Sequence, residues 1–109
     1  MYKVRETHEA MQDVTNLAFY MVDEFKNQKA ALDFLDHYDE KIQGLTTFPF
    51  GYRGVGFEYR GYEIRLKPYD TYNIFFVVDT NGGELIILRV LKDRENWQTI
   101  LLNHSSYRL

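Results

Sequence analysis

YNIFFVVDTNGGELIILRVL, residues 72–91, consists of two apolar runs, Tyr72 to Val78 and Leu85 to Leu91, parted by Asp79-Thr80-Asn81-Gly82-Gly83-Glu84. β-Branched and aromatic residues fill both runs, and Asn-Gly-Gly supplies the positive φ angles of a tight reversal, so the stretch reads as a β-hairpin. Neither run alternates with polar residues, which places both strands inside a sheet with cover on both faces. Arg89 breaks the apolar pattern. Spacing puts it on a face with Leu85, Ile87 and Leu91, where a guanidinium either pairs with a carboxylate, Asp79 or Glu63, or opens onto a functional groove.

Upstream, Tyr2 to Glu6 (YKVRE) alternates as a short strand, and Thr7 is placed to cap a helix with Glu9 in its first turn. Ala10, Val14, Leu17, Ala18, Met21 and Phe25 form the stripe of an amphipathic helix ending near Phe25. Asn27 caps a second helix with a stripe of Ala31, Phe34, Leu35, Tyr38, Ile42 and Leu45, and Gly44 marks its end. So short a connection predicts an antiparallel helical hairpin. Thr46 to Gly61 carries one Pro, four Gly and five aromatic residues and reads as a loop or irregular strand. Tyr62 to Lys67 alternates as a strand, and Pro68 to Thr71 turns the chain into the central hairpin. Asp93 is placed to cap a last short helix containing Trp97, Ile100 and Leu101. The predicted fold is α+β, a helical hairpin packed on one face of a small, largely antiparallel sheet with a short C-terminal helix. It forms a single domain over residues 1–102, with a polar tail over 103–109 expected to fray.

Composition narrows the function. The 109 residues contain no Cys, which excludes a disulfide framework and thiol chemistry, and no apolar run reaches the length of a membrane span. Met1-Tyr2-Lys3-Val4-Arg5 lacks the apolar core of a signal peptide, so a cytoplasmic protein with no membrane partner is expected. The formal charge is −3, unevenly spread. Residues 53–94 hold seven basic against six acidic side chains, whereas the remainder holds six against ten, so an anionic partner should meet the strand-rich half. Asp33, Asp36, His37 and Glu40 share one helix face, which reads as a solvated face, and no metal or other cofactor is expected. His8, His37 and His104 form no readable triad order. The basic residues Arg65 and Lys67 share a strand face, while Arg89, Lys92 and Arg94 cluster at the end of the last strand. With Arg53 and Arg60 from the aromatic-rich loop they would form a patch suited to phosphates and stacked bases, provided the strands are neighbours. For Arg89 a sheet-knitting ion pair competes with that reading, and for Lys92 and Arg94 plain surface charge does.

The succession GYEIRLKPYDTYNIFFVVDTNGGELIILRVLKDRENW, with AALDFLDHYDEKIQGLTTFP in the helical half, resembles the RelE/ParE superfamily of toxins from bacterial type II toxin-antitoxin pairs. The likeness runs from about Tyr2 to Leu101, on diffuse and mostly hydrophobic motifs. It implies a compact sheet with a helical hairpin and a cognate antitoxin that wraps the toxin, with a heterotetramer joined through the antitoxin as one assembly. One branch of the superfamily cuts mRNA on the ribosome with basic residues around a phosphorane-like transition state, and the other poisons DNA gyrase with no chemistry of its own. Arg65, Arg89, Lys92 and Arg94 match basic sites of the family pattern, and in a nuclease these four would be catalytic. Lys92 stands where many relatives carry His. Asn73 stands where the cutting branch usually carries Arg, although Lys67 or Arg53 offers a substitute charge. The missing charge and the net acidity favour the gyrase-poison reading over ribosome-dependent cleavage. A non-toxic interaction domain on the same scaffold is the third reading.

Overall fold

The computed structural model describes residues 2–93 and 95–102. Its elements are β1 (Lys3–Glu6), α1 (His8–Phe25), α2 (Gln28–Leu45), a 3-10 turn (Pro49–Gly51), β2 (Gly54–Tyr59), β3 (Tyr62–Tyr69), β4 (Tyr72–Asp79), β5 (Glu84–Lys92) and α3 (Trp97–Leu102). The sheet runs β1-β5-β4-β3-β2, with β1 parallel to β5 and every other neighbour antiparallel. The α+β architecture is the one expected, with one strand more. β2 emerges from the stretch read as loop or irregular strand.

Thr7 joins the first two elements. Its hydroxyl accepts the Ala10 N–H at 2.9 Å as an N-cap and donates to the Leu88 carbonyl at 2.8 Å, while its own N–H reaches the Ile87 carbonyl. A single buried residue therefore starts α1 and fastens it to β5. Asn27 caps α2 through the Ala30 N–H at 3.0 Å, and α1 stops where Lys26 turns left-handed at φ 52°. Gly44 lies within α2, which ends at Leu45.

The central hairpin is sheathed on both faces. Ile74, Phe76, Leu85, Ile87 and Val90 join Ala10, Val14, Leu17, Phe34 and Tyr38 of the helices in one core. Phe75, Val77, Ile86, Leu88 and Leu91 join Tyr59, Ile64, Leu66 and Leu101 in a second core on the reverse face. Side chains of β2, β3 and α3, among them Val55, Phe57, Trp97 and Ile100, pack into that second core. Along β5 the register slips, because Phe76 pairs with Ile87 but Phe75 pairs with Arg89, leaving Leu88 as a bulge. Leu91 consequently lies in the opposite core from Leu85 and Ile87, which corrects the face assignment made from spacing.

Two turn assignments also change. Pro68 lies within β3, paired with Asn73, and the reversal is the two residues Asp70-Thr71 between the paired Tyr69 and Tyr72. β2 pairs with β3 only as far as Arg65, so Pro68 occupies an open edge where its missing N–H breaks no ladder. Asp93 does not cap α3, which begins at Trp97 with the Ile100 N–H on the Asn96 carbonyl; Asp93 turns back to Asn73 instead. Residues 103–109 lie outside the described residues. No helix among the described residues is long and apolar enough to cross a membrane.

Two tyrosines give the fold an alkaline limit. Burial, then Glu6, Asp39 and Asp13, push the Tyr38 phenol well above its ordinary value, and its hydroxyl is buried without a hydrogen-bond partner among the described residues. Burial and the Asp70 carboxylate push Tyr69 up to about 12. Each phenol is favoured neutral in the folded state, so the stability it contributes is whole below the unfolded value of 10.0 and is lost as pH rises through the folded one. Unfolding free energy is expected to hold to near pH 10 and fall steeply from there towards pH 12 and beyond. Denaturant melts across that window check it; an undiminished fold with every phenol ionised near pH 10 would contradict it.

Candidate functional site

β4 separates β3 from β5, so the basic residues of those two strands do not converge as a single patch. They form two groups. In the first, beyond the end of β1, the edge of β5 is left uncovered, and Asp13 of α1 fills the gap. Its carboxylate accepts Arg89 Nε at 2.7 Å and Nη2 at 2.8 Å, a two-pronged ion pair, and also the Val90 N–H at 3.0 Å. The carboxylate is neither Asp79, which accepts from the Tyr62 hydroxyl and the Gly82 N–H, nor Glu63. The Arg89 side chain remains 21% exposed and Asp13 11%, so the pair is mostly shielded yet reachable. Lys92 follows on the same strand end, its Nζ 3.9 Å from the Tyr20 ring centre. Arg89 and Lys92 share one open cavity of about 300 Å³ with Asn16, Tyr20 and Glu95. Arg94, expected beside them, lies outside the described residues.

The second group sits on β3. Arg65 and Lys67 lie opposite Phe76 and Ile74 and so share the helix-side face, as their spacing predicts. Both are engaged by the segment that leads into β2. Arg65 Nη1 donates to the Tyr52 carbonyl at 2.8 Å and lies 5.1 Å from the Phe50 ring centre, while Lys67 Nζ donates to the Tyr52 hydroxyl at 2.8 Å. Arg53 is exposed at the entry to β2, where its carbonyl accepts the Leu66 N–H. Arg60 occupies the β2–β3 turn at φ 54°, 5.2 Å from the Tyr59 ring centre.

Asn73, the departure from the cutting branch's pattern, is buried at the start of β4 and donates from Nδ2 to Asp93 Oδ1 at 2.8 Å. A neutral amide held by a carboxylate offers a phosphate no charge there. On α2, Asp33 takes Lys29 Nζ at 2.8 Å, and His37 faces a groove with Phe34, Tyr69 and Tyr72. Sequence reasoning missed Asp13, Tyr20, Tyr52 and Asp93, the residues that hold the cations or Asn73. Only Asp13 carried a signal, as a carboxylate one residue from the buried stripe of α1.

The family described as ParE toxin of type II toxin-antitoxin system, parDE, matches residues 4–97. A solved structure from a chromosomal ParDE TA system of P. aeruginosa is similar in fold, with a TM-score of 0.68 at 21% identity over 84% of this chain and 96% of that one. No curated protein matches at a significant level.

Proposed function

We propose that this chain, which belongs to the ParE toxin family of type II toxin-antitoxin systems, arrests growth by poisoning DNA gyrase and is held silent by a cognate antitoxin. The family match carries this reading, and the arrangement of the basic residues supports it. A phosphodiester cutter needs cations and a proton-transfer group around one reacting phosphate. Here Arg89 and Lys92 stand on one side of β4 and Arg65 and Lys67 on the other, with Asn73 tied to Asp93 between them. Such a distribution suits a surface that grips a partner better than one that performs transfer chemistry. The target contact is assigned to Arg65, Arg89, Lys92 and Arg94, with Arg53 and Arg60 at its margin. Ribosome-dependent mRNA cleavage is the second reading, favoured by Arg89 and Lys92 sharing one cavity. The antitoxin is expected to cover the helical hairpin, and a heterotetramer follows if it also dimerises.

Purified protein tested with gyrase and supercoiled plasmid, and separately on programmed ribosomes, is expected to accumulate cleaved gyrase–DNA complex and to leave mRNA intact. Cutting at codons without an effect on gyrase overturns the reading, and normal growth on expression without a partner would reveal a non-toxic domain. Lys92→Ala is expected to lower cleaved-complex formation at least several-fold. Its contact with the Tyr20 ring contributes about 0.5–1 kcal/mol at such a site, so the variant should melt close to the parent; an equally active variant removes Lys92 from the contact.

A further inference from the structure

We infer that Asn73 is a positioning residue for the target contact: its amide holds Asp93, and through Asp93 the end of β5 that presents Lys92, an inference that rests on the target reading above. Asn73 lies directly across from Leu91, whose side chain is in the reverse-face core, and opposed residues of neighbouring strands share a face. Asp93, two residues beyond Leu91, falls on that same side, and Lys92 between them points the other way, to the Tyr20 ring of α1. Asn73 therefore faces away from Lys92 and touches no target itself. Only 9% exposed, it donates from Nδ2 to Asp93 Oδ1 at 2.8 Å, and a carboxylate acceptor makes this one of the stronger hydrogen bonds.

The end of β5 needs this hold because strand pairing supports it from one side. β1 runs beside β5 as far as Ile87, and past Val90, whose N–H goes to Asp13, β4 is the only strand alongside among the described residues. Tyr72, the first residue of β4, pairs with Lys92, and one more backbone bond, from the Asp93 N–H to the Thr71 carbonyl at 2.9 Å, carries the pairing into the turn. Strand ends secured by so few bonds are the first to open. The Asn73 amide adds a second anchor, so the residue after Lys92 is tied at its backbone and at its carboxylate. The Glu95 N–H then returns to the Lys92 carbonyl at 3.1 Å and closes the corner. With the corner fixed, Lys92 Nζ stays 3.9 Å from the Tyr20 ring centre and lines one cavity with Arg89. A purely electrostatic role for Asp93 predicts the opposite sign, since an acid beside Lys92 weakens the hold on an anionic target and its removal would strengthen it.

Variants at the exposed Asp93 test this without disturbing a buried side chain. Asp93→Ala removes the acceptor, whereas Asp93→Asn keeps an oxygen in its place and drops the charge. Asn73→Ala, at a buried position, is read beside Asp93→Ala, which breaks the same bond from the exposed side. The first readout is Lys92 itself in the isotope-labelled full chain: its Cε protons lie against the Tyr20 ring, whose ring current moves them upfield of an ordinary lysine. That displacement is expected to survive in Asp93→Asn and to be largely lost in Asp93→Ala and Asn73→Ala, with the amide spectrum away from the corner unchanged. The second readout is the protein concentration that gives half-maximal cleaved gyrase–DNA complex. It should rise several-fold for the two Ala variants, by no more than Lys92→Ala raises it, and stay near the parent for Asp93→Asn. Lys92 resonances unmoved in every variant overturn the inference, as does equal loss in Asp93→Asn and Asp93→Ala, which would make the charge and not the bond decisive. Stronger action by Asp93→Ala overturns it too. Should the parent leave gyrase untouched, the gyrase reading falls while the Lys92 resonances still decide the positioning, and the variants are then scored by mRNA cutting on programmed ribosomes; inactivity on both targets overturns the target reading and the inference with it.

Discussion

Asp13→Ala is expected to lower the unfolding free energy by about 3 kcal/mol, the lower end of the range for removing one partner of a shielded ion pair. The substitution takes the Asp13 carboxylate from the Arg89 guanidinium and strips the Val90 N–H of its acceptor at an edge where β1 has already ended. Both losses fall on the junction that Thr7 makes a few residues earlier, so α1 should loosen from the sheet as a unit. Urea melts measure the change; a loss below about 1 kcal/mol would class the pair with exposed surface bridges. Replacing the pair by hydrocarbon, Asp13→Leu with Arg89→Met, should recover most of the stability, because no charge is then left stranded. The folded double variant also separates the two roles of Arg89. If the guanidinium grips the target, toxicity stays lost in the double variant although folding has returned. If it only ties α1 to β5, toxicity returns with the fold. Arg89→Ala alone, expected to abolish toxicity, cannot distinguish these outcomes because it disturbs the same junction.

What could be read in the sequence was whatever depends on neighbours along the chain. The Thr7 and Asn27 caps, the two helical stripes and the central reversal all rest on spacings of a few residues, and each stands where it was expected except at Phe25, the last residue of the first stripe, which is 65% exposed. β2 was not legible as a regular strand because its period is broken from within. Gly56 adopts φ 87°, the pairing with β3 shifts between Gly54 and Glu58, and a Cβ on Gly54 would collide with the Glu63 side chain. An alternating template has no place for such a bulge. The slip at Leu88 hid in the same way, since an unbroken apolar run gives no sign that its faces exchange midway. The partner of Arg89 was out of reach for a different reason: Asp13 is 76 residues distant, and its role exists only once α1 lies along the uncovered part of β5. The polarity of that carboxylate beside a helical stripe was visible, but its assignment to this guanidinium was not.

Phe75→Ala and Phe76→Ala are each expected to cost about 3–5 kcal/mol, as large truncations of wholly buried rings do. Sequence neighbours on β4, the two rings point into different cores, and both are 0% exposed. Phe76 meets the helix side, with Tyr52 edge-on at 6.1 Å, whereas Phe75 meets Trp97 at 5.4 Å on the reverse face. Trp97 is the only tryptophan in the chain, so its emission reports one face alone. Phe75→Ala should shift that emission in the folded state before any denaturant is added, and Phe76→Ala should leave it nearly unchanged. Similar stability losses with contrasting emission would show that the cover from α3 and the side chains of β2 and β3 seals its face as tightly as the helical hairpin seals the other. A Phe75→Ala loss below about 1 kcal/mol would instead mean that the reverse face is open, since a ring that water can reach loses little by truncation. The consequence bears on the target. With the reverse face of the central strands closed, a partner that meets Arg89 and Lys92 has to approach along the α1–β5 margin, where the remaining exposure of Arg89 is directed into solvent-facing cavities.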